Sequence, residues 1–311
     1  MTRVVALPAA DDLAAAEEVV REVLAPTPVV HALGMWLKVE TVQPTGSFKV
    51  RGGLAALAAR PAGRRVVTAS AGNHGLGIAY AAARLERDAT VVVPETASAA
   101  KVERLRTYPV DLVLSGDGYD AAEAHALGLD GEYVSAYNDP HVIAGQRTLG
   151  VELGEQLSGP LTIAVPVGGG GLVSGVALWA AEHEHVRVVG VEAPAASRAV
   201  SASVAAGRIV AVERDLTLAD GMAGGLEPGS VTVDIAARHV DAFVAVEEAE
   251  LRAAMHALAF DAGLIAEGAG AAATAAVLSG RVSDDRPGAR VVAIVSGRNV
   301  ARDVLLDVLS S

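Results

Sequence analysis

Short runs rich in valine and isoleucine alternate with alanine-rich stretches along almost the whole chain. The apolar runs at 37–40, 65–69, 89–93, 111–114, 162–167, 186–191, 242–246 and 291–295 are of strand length and read as strands. The stretches at 11–24, 75–87, 99–108, 119–127, 145–157, 247–262 and 268–278 read as helices. Strands that are apolar on both faces, each followed by a helix, predict an α/β protein with mostly parallel sheets covered on both sides. No internal repeat or low-complexity linker interrupts this pattern, and Ser-Asp-Asp-Arg-Pro-Gly at 283–288 reads as a polar turn. Glycine-bearing turns follow predicted strands at 72–75, at 168–171 and at Gly297. Open α/β sheets bind ligands beyond the carboxyl ends of their strands, so these turns predict one shared crevice.

Composition narrows the classes. The 311 residues carry 37 acidic and 25 basic side chains, a net charge of −12 that argues against nucleic-acid binding. The absence of cysteine excludes disulfides, zinc ribbons, iron–sulfur clusters and a catalytic thiol. A mean hydropathy of +0.38 raises the question of a membrane. The longest uncharged run, 156–181, contains Pro160, Pro166 and the glycines 168–171, which would break a spanning helix. Arg3 precedes a short apolar run that Asp11 and Asp12 cut before a signal-peptide core is complete. The expectation is a cytoplasmic protein, with neither membrane nor nucleic acid as partner.

Lysine occurs only at 38, 49 and 101. Lys38 alternates with Glu40 along its strand and is expected to face solvent, as is Lys101 at the start of a polar helix. Lys49 lies between the Pro44–Gly46 turn and a helix start, where partial burial would lower its pKa and suit Schiff-base chemistry. Residues 161–181 read as strand, four glycines and helix, whose backbone N–H groups can cradle a phosphate without a basic side chain. The same segment also resembles a dinucleotide-binding unit, with Glu192 about 20 residues past the glycines. Val173 and Ser174 stand where that fingerprint needs a third glycine. Ser70-Ala71-Gly72-Asn73-His74-Gly75 opens a helix and either binds a carboxylate or simply caps that helix. His183-Glu184-His185 reads as a solvated helix end rather than a metal site.

These pieces together resemble the fold-type II pyridoxal-phosphate enzymes, and within them the threonine/serine dehydratases and serine racemase. The resemblance rests on the run Gln43 to Gly52 (QPTGSFKVRG), Ser70 to Gly75, Val142 to Gln146, glycines 168–171, Leu218 to Gly221, Glu267 to Gly270 and Ser296 to Asn299, in family order. It implies a tryptophan synthase β-like fold of two open twisted sheets. Residues 1–64 and 143–311 would form a large cofactor domain and 65–142 a small one.

The resemblance also implies roles. Lys49 would hold pyridoxal 5′-phosphate as a Schiff base and take the Cα proton, with Phe48 beside the ring. Asn73 would bond the cofactor's 3′ oxygen, and Ser296 would face the pyridine nitrogen. Gly168, Gly169, Gly170, Gly171 and Leu172 would hold the phosphate. Ser70, Ala71, Asn73 and His74 would take the substrate carboxylate.

The implied activity is dehydration and deamination of L-threonine or L-serine to a 2-oxo acid and ammonia by a homodimer. Racemisation, a hydroxyaspartate ammonia-lyase and, remotely, a nicotinamide oxidoreductase are the alternatives. Ala71 stands where the racemase pattern has a serine acid/base, which favours elimination. Arg198 stands where the racemase-like metal site has an aspartate, so no metal is expected with Glu192. Arg147 and Arg298 replace frequent glycines and either favour an acidic substrate or face solvent. The chain ends soon after its last strand, which implies a catabolic form without a regulatory domain.

Overall fold

A computed structural model describes residues 5–310, so Arg3 lies outside the described residues. The chain runs α1 (Ala10–Val23), β1 (Val29–Ala32), β2 (Met35–Val39), α2 (Lys49–Ala58), β3 (Val66–Ala69), α3 (Asn73–Arg84), β4 (Ala89–Val93) and α4 (Ala99–Arg106). It continues through β5 (Asp111–Leu114), α5 (Tyr119–Gly128), β6 (Glu132–Tyr133), α6 (Pro140–Gln156), β7 (Leu161–Pro166), α7 (Gly171–Ala180), β8 (Val186–Glu192) and α8 (Ala199–Ala206). The last elements are α9 (Val231–His239), β9 (Ala242–Ala245), α10 (Glu248–Asp261), α11 (Gly268–Leu278), β10 (Arg290–Val295) and α12 (Arg302–Leu309).

Two sheets result, in the orders β1-β2-β10-β7-β8-β9 and β5-β4-β3-β6. All pairings are parallel except β1 with β2, as the apolar strand pattern predicts. The larger sheet is covered on one face by α10 and α11 (Leu251, Met255, Ala272, Ala276) and on the other by α6 and α7 (Leu149, Leu153, Val173, Val176). Two short strands escape the sequence pattern. Edge strand β1 follows Pro26 and Pro28, and β6 has only two residues. Helix α6 starts at Pro140 rather than at 145, because Asp139 caps it by accepting from His141 N and Val142 N.

Each sheet has a point where the strand order reverses. In the larger sheet the chain steps outward from β7 to β8 and β9, then returns on the other side of β7 as β10. In the smaller sheet it steps from β3 to β4 and β5, then returns beside β3 as β6. Parallel sheets open a crevice at such points, beyond the carboxyl ends of the diverging strands. The loops after β3, β7 and β10 carry the predicted site residues, together with Phe48 and Lys49 at the start of α2. Helix α2 is drawn tightly against α3, because a Cβ at Gly53 would lie 2.5 Å from Gly77 O and one at Gly77 2.7 Å from Lys49 O.

Candidate active site

The turn before α2 is stitched to the end of β10. Phe48 N donates to Ser296 O at 3.1 Å, Arg298 N donates to Gly46 O at 2.9 Å, and Ser47 bridges Gly297. Gly46 has φ +78°, and a Cβ there would lie 2.6 Å from Asn299 Oδ1, so only glycine fits. Lys49, the first residue of α2, donates from Nζ to Ala136 O at 2.7 Å, just past β6. Its amine thus reaches from one sheet's loops to the other's. Burial lowers its pKa to about 8, while Glu267 pulls the other way. An amine at 8 is far more often a free nucleophile at neutral pH than one at the ordinary 10.4.

The glycine turn after β7 forms a cradle. Among the described residues, the N–H groups of Gly168, Gly169, Gly170, Gly171 and Leu172 donate to no backbone carbonyl. Gly170 has φ +91° and leads into α7. A Cβ at Gly169 would meet the Tyr137 ring at 2.4 Å, and one at Gly168 would meet Met222 Cα at 3.0 Å. The turn is therefore closely walled by its neighbours and lies at the positive end of a helix.

The loop after β3 supplies the third wall. Asn73 and His74 are the first residues of α3, so the helix begins two residues earlier than its apolar pattern suggests. Ser70 Oγ accepts from Gly72 N at 3.2 Å, and Ala71 lies half-buried beside it. His74 is turned inward, with Nε2 3.3 Å from Val134 O and a pKa pushed down to about 3 by burial and by nearby Lys49. Its imidazole is therefore neutral, and only its backbone belongs to the loop surface.

Asn73 Nδ2 donates to Glu267 Oε1 at 2.7 Å, which joins this loop to the residue just before α11. Burial, with Asp220 nearby, raises the Glu267 carboxyl to about 7. Asn299 Nδ2 donates to Asn73 Oδ1 and to Thr45 O, and Arg104 of α4 donates to Asn299 Oδ1. Ser296 is buried, with Oγ 3.4 Å from Ala269 O.

A family model described as "Pyridoxal-phosphate dependent enzyme" matches residues 20–297. The chain belongs to the pyridoxal-phosphate-dependent enzymes. It is 41% identical over 244 residues, 76% of its length, to the L-threonine ammonia-lyase of Geobacter sulfurreducens. That match spans 60% of the relative's own length. The catabolic L-threonine dehydratase of Escherichia coli is 37% identical over 76% of this chain and 74% of its own. Maize serine racemase superposes with a TM-score of 0.89 at 28% identity, covering 98% of both chains. The processed form of a threonine deaminase from Solanum lycopersicum superposes at 0.88 and 29% identity, over 100% of this chain and 91% of its own.

The residues of this pyridoxal-phosphate enzyme fit the cofactor its family carries. The cradle offers unpaired N–H groups without basic side chains, and a desolvated amine stands ready in Lys49. Two residues before that lysine, Ser47 Oγ is buried with no hydrogen-bond partner among the described residues. The nicotinamide alternative loses its acidic residue, because Glu192 accepts from Ser201 N at 3.1 Å and from Ser201 Oγ.

One further expectation changes. Lys38 does not face solvent: its Nζ is buried and donates to Glu152 Oε2 at 2.6 Å, because α6 covers that face of β2. Arg147 lies outside the crevice, paired with Glu182 just past α7 at 2.8 Å. Arg298 and Arg198 are exposed. His183 packs on Trp179 at 4.4 Å, with Nδ1 2.9 Å from Trp179 O. Among the described residues no group of His, Asp and Glu is arranged to hold a metal ion, and no helix is long and apolar enough to cross a membrane. Glu267 and Asn299 lie inside the motifs that carry the resemblance, with no role implied by it. Arg104 carries no sequence signal, since it sits in a helix of ordinary polar composition.

Proposed function

We propose that this protein removes water and ammonia from a β-hydroxy amino acid, L-threonine, L-serine or both, and releases the 2-oxo acid. Atoms balance without a further reactant: the water lost from Cα and Cβ is matched by the water that hydrolyses the released enamine. When bound, pyridoxal phosphate supplies an electron sink for the substrate's Cα. Lys49 holds the cofactor and, as a free amine, takes the Cα proton. The N–H groups of Gly168 to Leu172 hold the phosphate, and Phe48 flanks the ring. Asn73 bonds the 3′ oxygen, and the backbone of Ser70, Ala71, Asn73 and His74 takes the substrate carboxylate.

One observation carries the choice of elimination over racemisation. Ala71, half-buried in the carboxylate loop, occupies the position that is a serine acid/base in the racemase pattern this sequence resembles. A methyl group cannot return a proton to the other face of Cα. Ser296 supports the same choice, because a hydroxyl cannot protonate the pyridine nitrogen as an acid would, and a weaker sink favours prompt loss of the β-hydroxyl. The names of the relatives, threonine ammonia-lyase and threonine dehydratase, agree with this reading.

The two sheets support large and small domains divided as 1–64 with 143–311 and 65–142. The proposal includes a cytoplasmic homodimer, checked by a sedimentation mass near twice the 31.4 kDa chain. The deciding experiment is the visible spectrum of the holoenzyme before and after L-threonine. A near-visible band absent in Lys49→Ala and changed by threonine as 2-oxobutanoate appears supports the proposal. A band with no keto acid from threonine or serine refutes the substrate assignment.

A further inference from the structure

Arg104 belongs to α4, beside the smaller sheet, yet its side chain crosses to the loops of the larger one. Nη2 donates to Thr45 O at 3.0 Å and Nη1 donates to Asn299 Oδ1. Asn299 Nδ2 donates to Asn73 Oδ1, and Asn73 Nδ2 donates to Glu267 Oε1 at 2.7 Å. The four side chains form one hydrogen-bonded series from the rim of the crevice to its floor.

The polarity of this series is set at its ends. An asparagine amide can turn over and exchange donor for acceptor, so its environment must choose. A guanidinium only donates, which makes Asn299 present Oδ1 to Arg104. Asn299 then presents Nδ2 to Asn73, which must answer with Oδ1. The Asn73 NH₂ is thereby turned toward Glu267, with one N–H proton left over. Turning that amide over would set carbonyl oxygen against the Glu267 carboxylate and NH₂ against NH₂.

We propose that Arg104 is a positioning residue for the cofactor: through Asn299 it fixes the Asn73 amide with its donor toward the cofactor's 3′ oxygen. This rests on Asn73 being a cofactor contact, as in the function proposed above. The series also spans the two sheets, so the donor is held only while α4 is seated against the loop at 45 and 299. Neighbouring Lys101 ties the same helix to Asp220 at 3.4 Å, but both side chains are exposed and neither enters the series.

The test reconstitutes wild type, Arg104→Met, Arg104→Lys, Asn299→Asp, Lys101→Met and Asn73→Ala with pyridoxal phosphate. It reads the absorption maximum and the dissociation constant of the bound cofactor. Loss of one held hydrogen bond predicts binding weaker by about five- to tenfold in Arg104→Met, with an absorption shift in the sense of Asn73→Ala. Asn299→Asp keeps an acceptor for Arg104 but no donor for Asn73, and gives the same shift even if Arg104→Met does not fold. Arg104→Lys, which retains a donor, recovers part of the loss, and Lys101→Met matches wild type. Wild-type absorption and affinity in Arg104→Met and Asn299→Asp, with Asn73→Ala altered, overturn the proposal and leave the site reading intact. A shift in Lys101→Met as large as in Arg104→Met also overturns it, because seating of α4 alone would then be the cause. Silence of Asn73→Ala overturns the site reading, and the proposal with it.

Discussion

Replacing Glu152 by glutamine removes one of the two carboxylates that balance Lys38 and Arg51 in the interior. The Arg51 guanidinium meets Glu40 with Nε and Nη2, both at 2.8 Å, and meets Glu152 with Nη1 at 2.6 Å and Nη2 at 2.8 Å. Lys38 Nζ meets Glu152 at 2.6 Å and Thr27 O at 2.9 Å. The side chains of Lys38, Arg51 and Glu40 are 0% exposed and that of Glu152 is 8% exposed, so water cannot replace a lost partner. Breaking such a cluster from one side costs about 3–5 kcal/mol, because a charge stays buried and unpaired. With a urea slope of about 3 kcal/mol/M, the unfolding midpoint falls by about 1–1.7 M.

The deficit depends on pH. Burial holds the Lys38 amine below its ordinary value while Glu152 holds it up, so loss of Glu152 lowers it further. Raising the pH then discharges Lys38 in the folded state and shrinks the deficit, which is largest near pH 6 and smaller near pH 9. The double change Lys38→Met with Glu152→Gln leaves Arg51 against Glu40 and recovers much of the loss. Urea unfolding followed by the fluorescence of Trp36 and Trp179 reads all three proteins. A midpoint within about 0.3 M of wild type at pH 6, or a double variant no better than the single one, refutes the reasoning.

Four further outcomes are expected. Capture of pyridoxal phosphate by the apoenzyme should quicken about fivefold from pH 7 to 8 and level off above 9, following the free-amine fraction of a Lys49 near 8. Glu267→Gln, which removes the carboxylate that raises this pKa, should move the midpoint lower, and a stopped-flow rate still climbing at pH 10 would contradict both. Gly169→Ala sets a Cβ 2.4 Å from the Tyr137 ring and should weaken cofactor binding by at least about tenfold, read by equilibrium dialysis. Ala71→Ser should bring D-serine formation from L-serine above the wild-type level, measured by chiral chromatography, and an unchanged product ratio would remove Ala71 as the reason for elimination.

Much of the site is readable along the chain because its parts are local. Strand, glycine turn and helix at 161–180 form one continuous unit, and the backbone N–H groups proposed to hold the phosphate belong to that unit alone. Lys49 stands out through its place behind a Pro–Gly turn at a helix start. The failures are long-range. Strict alternation along β2 sends Lys38 to solvent, yet Glu152 lies 114 residues away and covers it. The motif at 70–75 places His74 on the loop surface, although the first turn of α3 points its ring at Val134.

Periodicity, turn chemistry and the order of motifs therefore settle what each segment becomes, since a residue's backbone preference depends on its near neighbours. They settle the alternation of strands and helices, the glycine turn after β7 and the place of Lys49 at a helix start. Only the tertiary structure decides which distant groups meet where two sheets reverse their strand order. The Arg104–Asn299–Asn73–Glu267 series joins four chain segments, and the Lys38–Glu152–Arg51–Glu40 cluster joins β2 and the turn after it to α2 and α6. Hydrogen bonds and buried charges act over a few ångströms whatever the sequence separation, so no local pattern records their partners.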